Sequence, residues 1–204
     1  MGLGFLEHRL EGRARELTPD DVPAEWRSAP VVHLAPVAWE MRASAMAAAF
    51  SPGQLFATPQ GWLRRADAAG DVEADVLGIA RVPFAGLRAS VLSVDDAGGD
   101  LAVLERIVPV APCLVLTRGA AGCTLYASGQ PTDLPALPAR EVDSVGAGDV
   151  FAAAFFVRLV ETNDPLGSAR FATAAAACAI EGAGWHAIPT RAEVLARLAS
   201  AQPA

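Results

Sequence analysis

A glycine-rich turn followed at once by an apolar helix constrains this 204-residue chain most. The turn reads D-S-V-G-A-G-D over residues 143–149, and the residues that follow it are apolar. Glycine adopts positive φ freely and lets the backbone come close to a ligand. We therefore expect the N–H groups of Gly146, Ala147 and Gly148 to be free at a helix N-terminus, where the helix dipole also favours an anion. Asp149 would stand beside that anion, where a carboxylate can accept a proton from an attacking hydroxyl.

The same turn also has a purely structural interpretation. An Asp in the first turn of a helix is common, because it accepts backbone N–H groups and interacts favourably with the helix dipole. The two glycines can serve only the turn. A G-x-G-D pattern alone is a weak signal of function, so the interpretation depends on the rest of the chain.

Composition restricts the functional classes. A hydrophobic content of 52% with 19% charged residues is typical of a globular protein, and we predict one domain over residues 1–204 with 1–29 as a polar lead-in segment. The net charge of −7 argues against nucleic acid as a partner. The longest apolar stretches, 150–157 and 171–180, are too short to span a membrane. With no secretory signal visible, a cytoplasmic protein is predicted.

The chain contains no lysine, and all 16 basic residues are arginine. This excludes the Walker P-loop and Schiff-base chemistry. Any nucleotide phosphate must therefore be held by backbone amides, by arginine or by Mg²⁺. The three cysteines, Cys113, Cys123 and Cys178, are scattered and are predicted to be reduced and buried.

Strand and helix patterns alternate along the chain and predict an α/β fold. Ligands of such folds collect at the carboxyl ends of the strands, which is where we expect residues 117–119 and 143–149. The predicted strands cover 30–34, 54–58, 89–94 and 112–117, with a hairpin over 122–128 and 131–137, and the predicted helices cover 37–50, 99–110, 148–160, 165–180 and 191–200.

The sequence D-S-V-G-A-G-D-V-F at 143–151 resembles the C-terminal signature of the ribokinase-like (PfkB) carbohydrate kinases, D-T-T-G-A-G-D-x-F. Four further segments resemble family elements and occur in family order. They are the strand leading towards an N-x-x-E motif at 89–96, the V-T-x-G-x-x-G turn at 114–122, the alanine-rich helix at 171–179, and the C-terminal end at 181–184 and 188–190.

The resemblance covers residues 30–204 and implies a ribokinase-like three-layer (αβα) sandwich with a mostly parallel sheet. No counterpart of the family's N-terminal third is found, so we expect an N-terminally truncated fold without the β-lid. The implied activity is an ATP-dependent carbohydrate kinase that transfers the γ-phosphoryl group of ATP to a hydroxyl of a sugar or nucleoside-like substrate. Asp149 would be the base, and the amides of Gly146, Ala147 and Gly148 would form the anion hole.

The resemblance also implies further site residues. Thr117, Gly119 and Gly122 would line the nucleotide phosphates and ribose, although they can equally form a simple strand-end turn. Cofactor-binding roles are also expected for Thr173, near adenine, and for Gly184. Asp96 would organise Mg²⁺ through water, although Ser93-Val94-Asp95-Asp96 stands where the family has N-x-x-E. Asp143 would bind a monovalent cation such as K⁺ or, equally, cap its own turn.

Two alternatives to an active kinase stay open at this point. The chain could be an inactive nucleotide-binding remnant, or a fragment of a longer kinase gene. Missing strands would leave an apolar sheet edge with unpaired N–H and C=O groups, so we expect a homo-oligomer, a partner chain that covers this edge, or a marginally stable chain.

Overall fold

The computed structural model describes residues 9–50, 55–99 and 101–201. It divides into two compact units, Met1–Pro112 and Cys113–Ala204. Short 3-10 segments connect the regular elements in both units. They are Pro19–Asp21, Ala24–Trp26, Pro59–Trp62, Val76–Arg81, Phe84–Gly86, Leu101–Val103, Gly119–Ala121 and Gly184–Ala187.

The first unit is built on three parallel strands. Its strands are β1 (Val32–Leu34), β2 (Leu55–Ala57), β3 (Arg64–Ala66), β4 (Val72–Ala74) and β5 (Ala89–Ser93), and its helices are α1 (Ala43–Ala47) and α2 (Leu104–Ile107). Strand β2 pairs in parallel with both β1 and β5, while β3 and β4 form an antiparallel hairpin. Among the described strands of this unit, β1 pairs with β2 alone. Association through that edge stays a prediction.

The helix predicted over 37–50 is wrong in its first half. Only α1 is helical there, because Trp39 adopts a positive φ of 59° and Glu40 accepts the N–H groups of Val37 and Ala38 at 2.9 and 2.7 Å. The Trp39 indole N–H donates to the carbonyl oxygen of Arg64 at 2.6 Å. This contact with β3, which is distant in sequence, overrides the local helix pattern.

The helix predicted over 99–110 is also shorter than expected. A 3-10 turn leads into α2, which ends at Ile107. Pro109 lies two residues further on and has no N–H with which to continue the i→i−4 ladder, which favours an end of the helix at this point. The strands predicted at 30–34, 54–58 and 89–94 are confirmed as the shorter β1, β2 and β5, with Gln54 outside the described residues.

The second unit combines an antiparallel meander with three helices. The meander consists of β6 (Cys113–Thr117), β7 (Cys123–Ala127) and β8 (Gln130–Leu134), and the helices are α3 (Ala147–Thr162), α4 (Pro165–Ala179) and α5 (Arg191–Ala201). The predicted hairpin is therefore confirmed, with Val115 opposite Leu125 and Leu125 opposite Thr132. The three predicted helices also form. None of the helices in the described part of the chain is long and apolar enough to cross a bilayer.

The start of α4 shows why the α3–α4 boundary could be read from sequence. Asn163 ends α3 with a positive φ of 51°, and Asp164 accepts the N–H of Gly167 at 3.0 Å as the cap of α4. Pro165 occupies the first position of α4, where its missing N–H costs nothing. The buried side chains of α4 are mostly small, and Phe171 joins Ala174, Ala175 and Val194 in a buried cluster.

Two of the three cysteines have the character that the sequence predicts, whereas Cys178 is half-buried and not buried as expected. Cys113 and Cys123 are reduced and buried, and burial raises the pKa of the Cys113 thiol to about 11. A thiol with so high a pKa stays protonated and is a poor nucleophile.

Gly122 closes the turn between β6 and β7 in a conformation that only glycine tolerates. Its φ is 86°, and a Cβ atom would lie 2.1 Å from the carbonyl oxygen of Leu134 and 2.7 Å from the amide nitrogen of Ala136. We expect Gly122→Ala to lower the free energy of unfolding by at least about 2 kcal/mol, measured by urea denaturation.

Gly129 provides the matched control. It has a φ of 75° in the β7–β8 turn, but its Cβ would meet no atom within 4 Å. Gly129→Ala should therefore lose only the conformational term, about 1 kcal/mol. Equal losses in the two variants would show that the close approach at Gly122 does not matter.

Candidate functional site

A cavity of about 490 Å³ lies in the second unit, at the end of β6 and the beginning of α3. It brings together six residues that the sequence predicts for the site. They are Thr117, Gly119, Gly122, Ala147, Gly148 and Thr173. Its other lining residues are Ala120, Ala136, Leu137, Pro138, Ala139, Glu141, Ser144, Phe151, Ala176, Ala177 and Ile180.

The turn after β6 forms one side of this cavity. Thr117 is the last residue of β6, and Gly119 follows with a φ of 54° and open space where a Cβ would stand. The Arg118 N–H donates to the carbonyl oxygen of Gly122 at 2.7 Å, and the Gly122 N–H donates back to Gly119 at 3.0 Å. These bonds make a tight turn that presents backbone to the cavity.

Arg118 anchors the same turn through its side chain. Its guanidinium donates to the Thr124 hydroxyl at 2.7 Å and to the Asp133 carboxylate at 3.1 Å. The Thr124 hydroxyl itself donates to Asp133 at 2.6 Å. The hydrogen bonds from Thr124 and Arg118 lower the pKa of Asp133. Arg118 is therefore committed to the meander and does not line the cavity.

The N-terminus of α3 forms another side of the cavity. Gly146 precedes the helix with a φ of 79°, and the Val150 N–H makes the first helical bond to its carbonyl oxygen at 3.0 Å. The Ala147 N–H donates to Ser144 at 3.2 Å, so the expectation of three free amides needs a correction. In this turn and the first turn of α3, the N–H groups of Ser144, Gly146, Gly148 and Asp149 have no acceptor among the described residues.

Asp149 lies in the first turn of α3 with an exposed side chain. No group in the described part of the chain donates a hydrogen bond to its carboxylate. It is not one of the lining residues of the cavity. Its carboxylate is therefore accessible beside the free amides, and its role as a base stays a prediction.

Asp143 ties the turn before α3 to the C-terminal segment of the unit. One carboxylate oxygen accepts the Val145 N–H at 3.0 Å, and the other accepts the Gly184 N–H at 3.1 Å. Both bonds hold the pKa of Asp143 below its usual value. The contacts favour the turn-capping interpretation, and cation binding by Asp143 stays a prediction. Gly184 contributes to this contact and does not line the cavity.

Asp96 belongs to the first unit and follows β5. One of its oxygens accepts both the N–H and the hydroxyl of Ser93, at 2.9 and 2.7 Å. The other oxygen pairs with the Arg64 guanidinium at 3.2 Å. Its role at Mg²⁺ stays a prediction. No group of three or more His, Cys, Asp or Glu residues that could hold a metal ion occurs among the residues searched, which are those the structure describes.

Sequence reasoning missed two sets of lining residues. On α4 and at the residue that caps it, the cavity is lined by Ala176, Ala177 and Ile180 in addition to Thr173. Their spacing of three, four and seven residues from Thr173 places all four on one helix face, and this signal was readable. The second set lies in the segment after β8, residues 136–139 and 141, which carries no motif by which it could be found.

The part of the chain that lines this cavity is similar to a known protein family. Residues 95–191 match the family model described as pfkB family carbohydrate kinase. The ribokinase of Bacillus subtilis (strain 168) is 35% identical over 96 residues, a match that covers 47% of this chain and 33% of that protein. The matched stretch is thus about a third of the relative's length.

Solved structures of two kinases share the fold. The Arabidopsis thaliana ribokinase complexed with ribose and ATP superposes with a TM-score of 0.63 at 22% identity, covering 91% of this chain and 60% of that one. A fructokinase double mutant of Vibrio cholerae O395, in a form with fructose, ADP and potassium ion bound, has a TM-score of 0.69 at 19% identity and covers 90% and 64%. The predicted α/β ribokinase-like fold and the resemblance to PfkB kinases are both confirmed.

The contacts of Asp143 predict how stability depends on pH. Because its pKa is lower in the folded chain than in the unfolded one, the ionised carboxylate stabilises the fold at neutral pH. That contribution is lost as the pH falls through the folded pKa, below about pH 4. We expect Asp143→Asn to be less stable than wild type near neutral pH, with the difference shrinking in acid. Urea midpoints over a pH series measure it.

Asp95→Asn serves as the control for this prediction. The Asp95 carboxylate accepts no hydrogen bond from any residue in the described ranges, so its replacement should change the midpoint little at any pH. A gap between Asp143→Asn and wild type that stays constant into acid would contradict the assigned contacts.

Proposed function

We propose that this chain, which has the ribokinase fold and matches the pfkB family carbohydrate kinases over residues 95–191, binds ATP in the cavity of its second unit. The reaction that fits the site best is transfer of the γ-phosphoryl group to a hydroxyl of a sugar or nucleoside-like substrate. The fructokinase and ribokinase with the same fold have ADP or ATP and a sugar bound. This supports the proposed substrate classes.

The observation that carries the proposal is one cavity shared by the turn after β6 and the beginning of α3. Thr117 and Gly119 come from the turn, Gly148 comes from the helix, and Thr173 comes from α4. The α4 face and Phe151 supply apolar surface, while the helix terminus supplies free N–H donors. An apolar wall with a donor-rich end suits a nucleotide, whose base is flat and whose phosphates are anionic.

Phosphate binding would depend on the main chain in this cavity. None of its lining residues is an arginine, and the chain has no lysine. The free N–H groups of Gly146, Gly148 and Asp149 and the dipole of the 16-residue helix α3 are the groups that favour an anion here. Mg²⁺ bound together with ATP would neutralise much of the remaining phosphate charge.

Asp149 is the group that we assign as the base. It would accept the proton of the substrate hydroxyl while that oxygen forms a bond to the γ-phosphorus and the bond to the ADP oxygen breaks. Phosphoryl transfer needs positioning and charge stabilisation more than covalent catalysis. The exposed Asp149 carboxylate would position the hydroxyl, and the adjacent free N–H of Gly148 would stabilise the charge on the phosphoryl group. A K⁺ ion at Asp143 and a water-bridged Mg²⁺ at Asp96 are further proposals, and each would share a carboxylate that is already hydrogen-bonded.

A second candidate function is nucleotide binding without turnover. The contacts of Asp96 favour it, because Arg64 and Ser93 already engage both carboxylate oxygens. A metal ion there would compete with an ion pair that leaves only 11% of the Asp96 side chain exposed. Measuring ATP binding and turnover separately distinguishes the two candidates.

Gly148→Asp tests the anion site directly. A Cβ at this position would meet no atom within 4 Å, and an Asp in the first turn stabilises a helix, so the variant should fold. Its carboxylate would repel phosphate at close range, and we expect calorimetric titration to show Mg-ATP binding weakened about tenfold or more.

Gly148→Asn is the matched control, since it has the same size without the charge and should retain most of the affinity. Equal affinity of both variants and wild type would place the phosphates elsewhere. A folded wild type that does not bind Mg-ATP would refute the proposal of a nucleotide site.

Asp149→Asn tests the proposed base. The amide cannot accept the hydroxyl proton, so turnover should fall about 10²- to 10⁴-fold while Mg-ATP affinity stays close to that of wild type. ADP release with a panel of sugars and nucleosides measures turnover, and titration measures binding. Wild-type turnover in the variant would exclude Asp149 as the base. Binding without turnover in the wild type would support the second candidate function.

A further inference from the structure

Residues 137–140, here called the wall segment, separate two cavities of the second unit. Leu137, Pro138 and Ala139 line the 490 Å³ cavity described above. The same three residues also line a second cavity of about 770 Å³, together with Arg140, Glu181 and Arg197. The position of the wall segment therefore sets the width of the first cavity on that side.

Two side chains hold the backbone of the wall segment. Arg197 of α5 donates to the carbonyl oxygen of Pro138, and Glu181 accepts the Arg140 N–H at 3.1 Å. The two side chains are also paired with each other, because the Arg197 guanidinium donates to both oxygens of Glu181, at 3.0 and 3.2 Å. This bidentate ion pair therefore holds the wall segment at two backbone groups, the carbonyl oxygen of Pro138 and the N–H of Arg140.

The wall segment has no other backbone support. Across the described residues, its N–H and C=O groups take part in no backbone–backbone hydrogen bond. Its remaining attachment is apolar, since Leu137 packs against the cluster that contains Phe171 and Val194. With β8 ending at Leu134 and α3 beginning at Ala147, no regular element fixes the wall segment in place.

We propose that Arg197 and Glu181 are positioning residues for the nucleotide cavity, which they shape by clamping the wall segment. The identity of the ligand as a nucleotide rests on the proposed function, whereas the clamp itself does not. The clamp is partly exposed, with 25% of the Arg197 side chain and 35% of the Glu181 side chain accessible. Because exposed ion pairs contribute little to the free energy of unfolding, the main effect of this pair is to position the wall segment.

Arg191 offers a control on the same helix. It also makes a bidentate ion pair with a glutamate, Glu161 of α3, but it donates no hydrogen bond to the wall segment. Arg197→Met and Arg191→Met each remove one arginine–glutamate pair of α5, although Glu161 keeps its ion pair with Arg158 when Arg191 is replaced. They differ in whether the wall segment loses its clamp.

Amide hydrogen exchange over residues 137–142 is the first measurement. We expect faster exchange of the Arg140 N–H, which Glu181 accepts, and of the nearby Val142 N–H in Arg197→Met, and unchanged exchange of both in Arg191→Met. Mg-ADP titration is the second measurement, and it should show affinity lowered about three- to tenfold in Arg197→Met alone. Arg197→Lys refines the test, because lysine keeps the charge but lacks the planar fork that bridges Glu181 and Pro138. It should resemble Arg197→Met.

The outcomes separate this inference from the proposed function. Unchanged exchange in Arg197→Met, or Mg-ADP affinity equal to wild type, would overturn the clamp. Wild-type behaviour of Arg197→Lys would reduce it to a charge effect and would also overturn it. A wild type that binds no Mg-ADP would refute the nucleotide site, while the exchange comparison would still decide the clamp. Should Arg197→Met not fold, Glu181→Gln weakens the same contacts and is read by the same exchange measurement.

Discussion

The two hydrogen bonds accepted by Asp143 are the interactions on which the candidate site most depends. They join the Val145 N–H, in the turn before α3, to the Gly184 N–H, in the segment after α4. Without this link, the backbone bonds from Val142 and Asp143 to the carbonyl oxygen of Ile180 would remain to hold the turn against the helices. The Asp143 carboxylate therefore adds to the packing of α3 against α4 in fixing the free amides of α3 relative to Thr173. A cation at Asp143 would have to work alongside these bonds.

Much of the second unit could be predicted from sequence because its signals are local. Turn residues define the hairpin, and the Asn163-Asp164-Pro165 sequence marks the end of α3 and the start of α4. The glycine turn at 146–148 was recognisable for the same reason, since the positive φ at Gly146 favours glycine. Confirmed elements thus share a property: their causes lie within a few residues of their effects.

Expectations that were wrong or incomplete concern contacts between distant residues. The indole of Trp39 reaches Arg64, and this contact breaks a helix that periodicity alone predicts over 37–50. Asp96 looks like a ligand in sequence, yet Arg64 occupies one of its oxygens from another strand. The wall segment is held by Glu181 and Arg197, 41 residues beyond Arg140 and 59 beyond Pro138. No local sequence pattern indicates contacts between residues so far apart. The motifs of the cavity could therefore be predicted, but its shape could not.

The proposed phosphate site consists of main-chain donors, and this would explain why so short a motif carries so much of the functional interpretation. Backbone N–H groups exist at every residue other than proline, so a site of this kind selects no particular donor side chain. It selects only the residues that free those groups and aim them, here Gly146 and Gly148. The rest of the cavity can be built from alanine, leucine and proline held by an ion pair. The proposed anion binding therefore depends on a few turn residues, while the width of the cavity depends on contacts such as Arg197–Glu181.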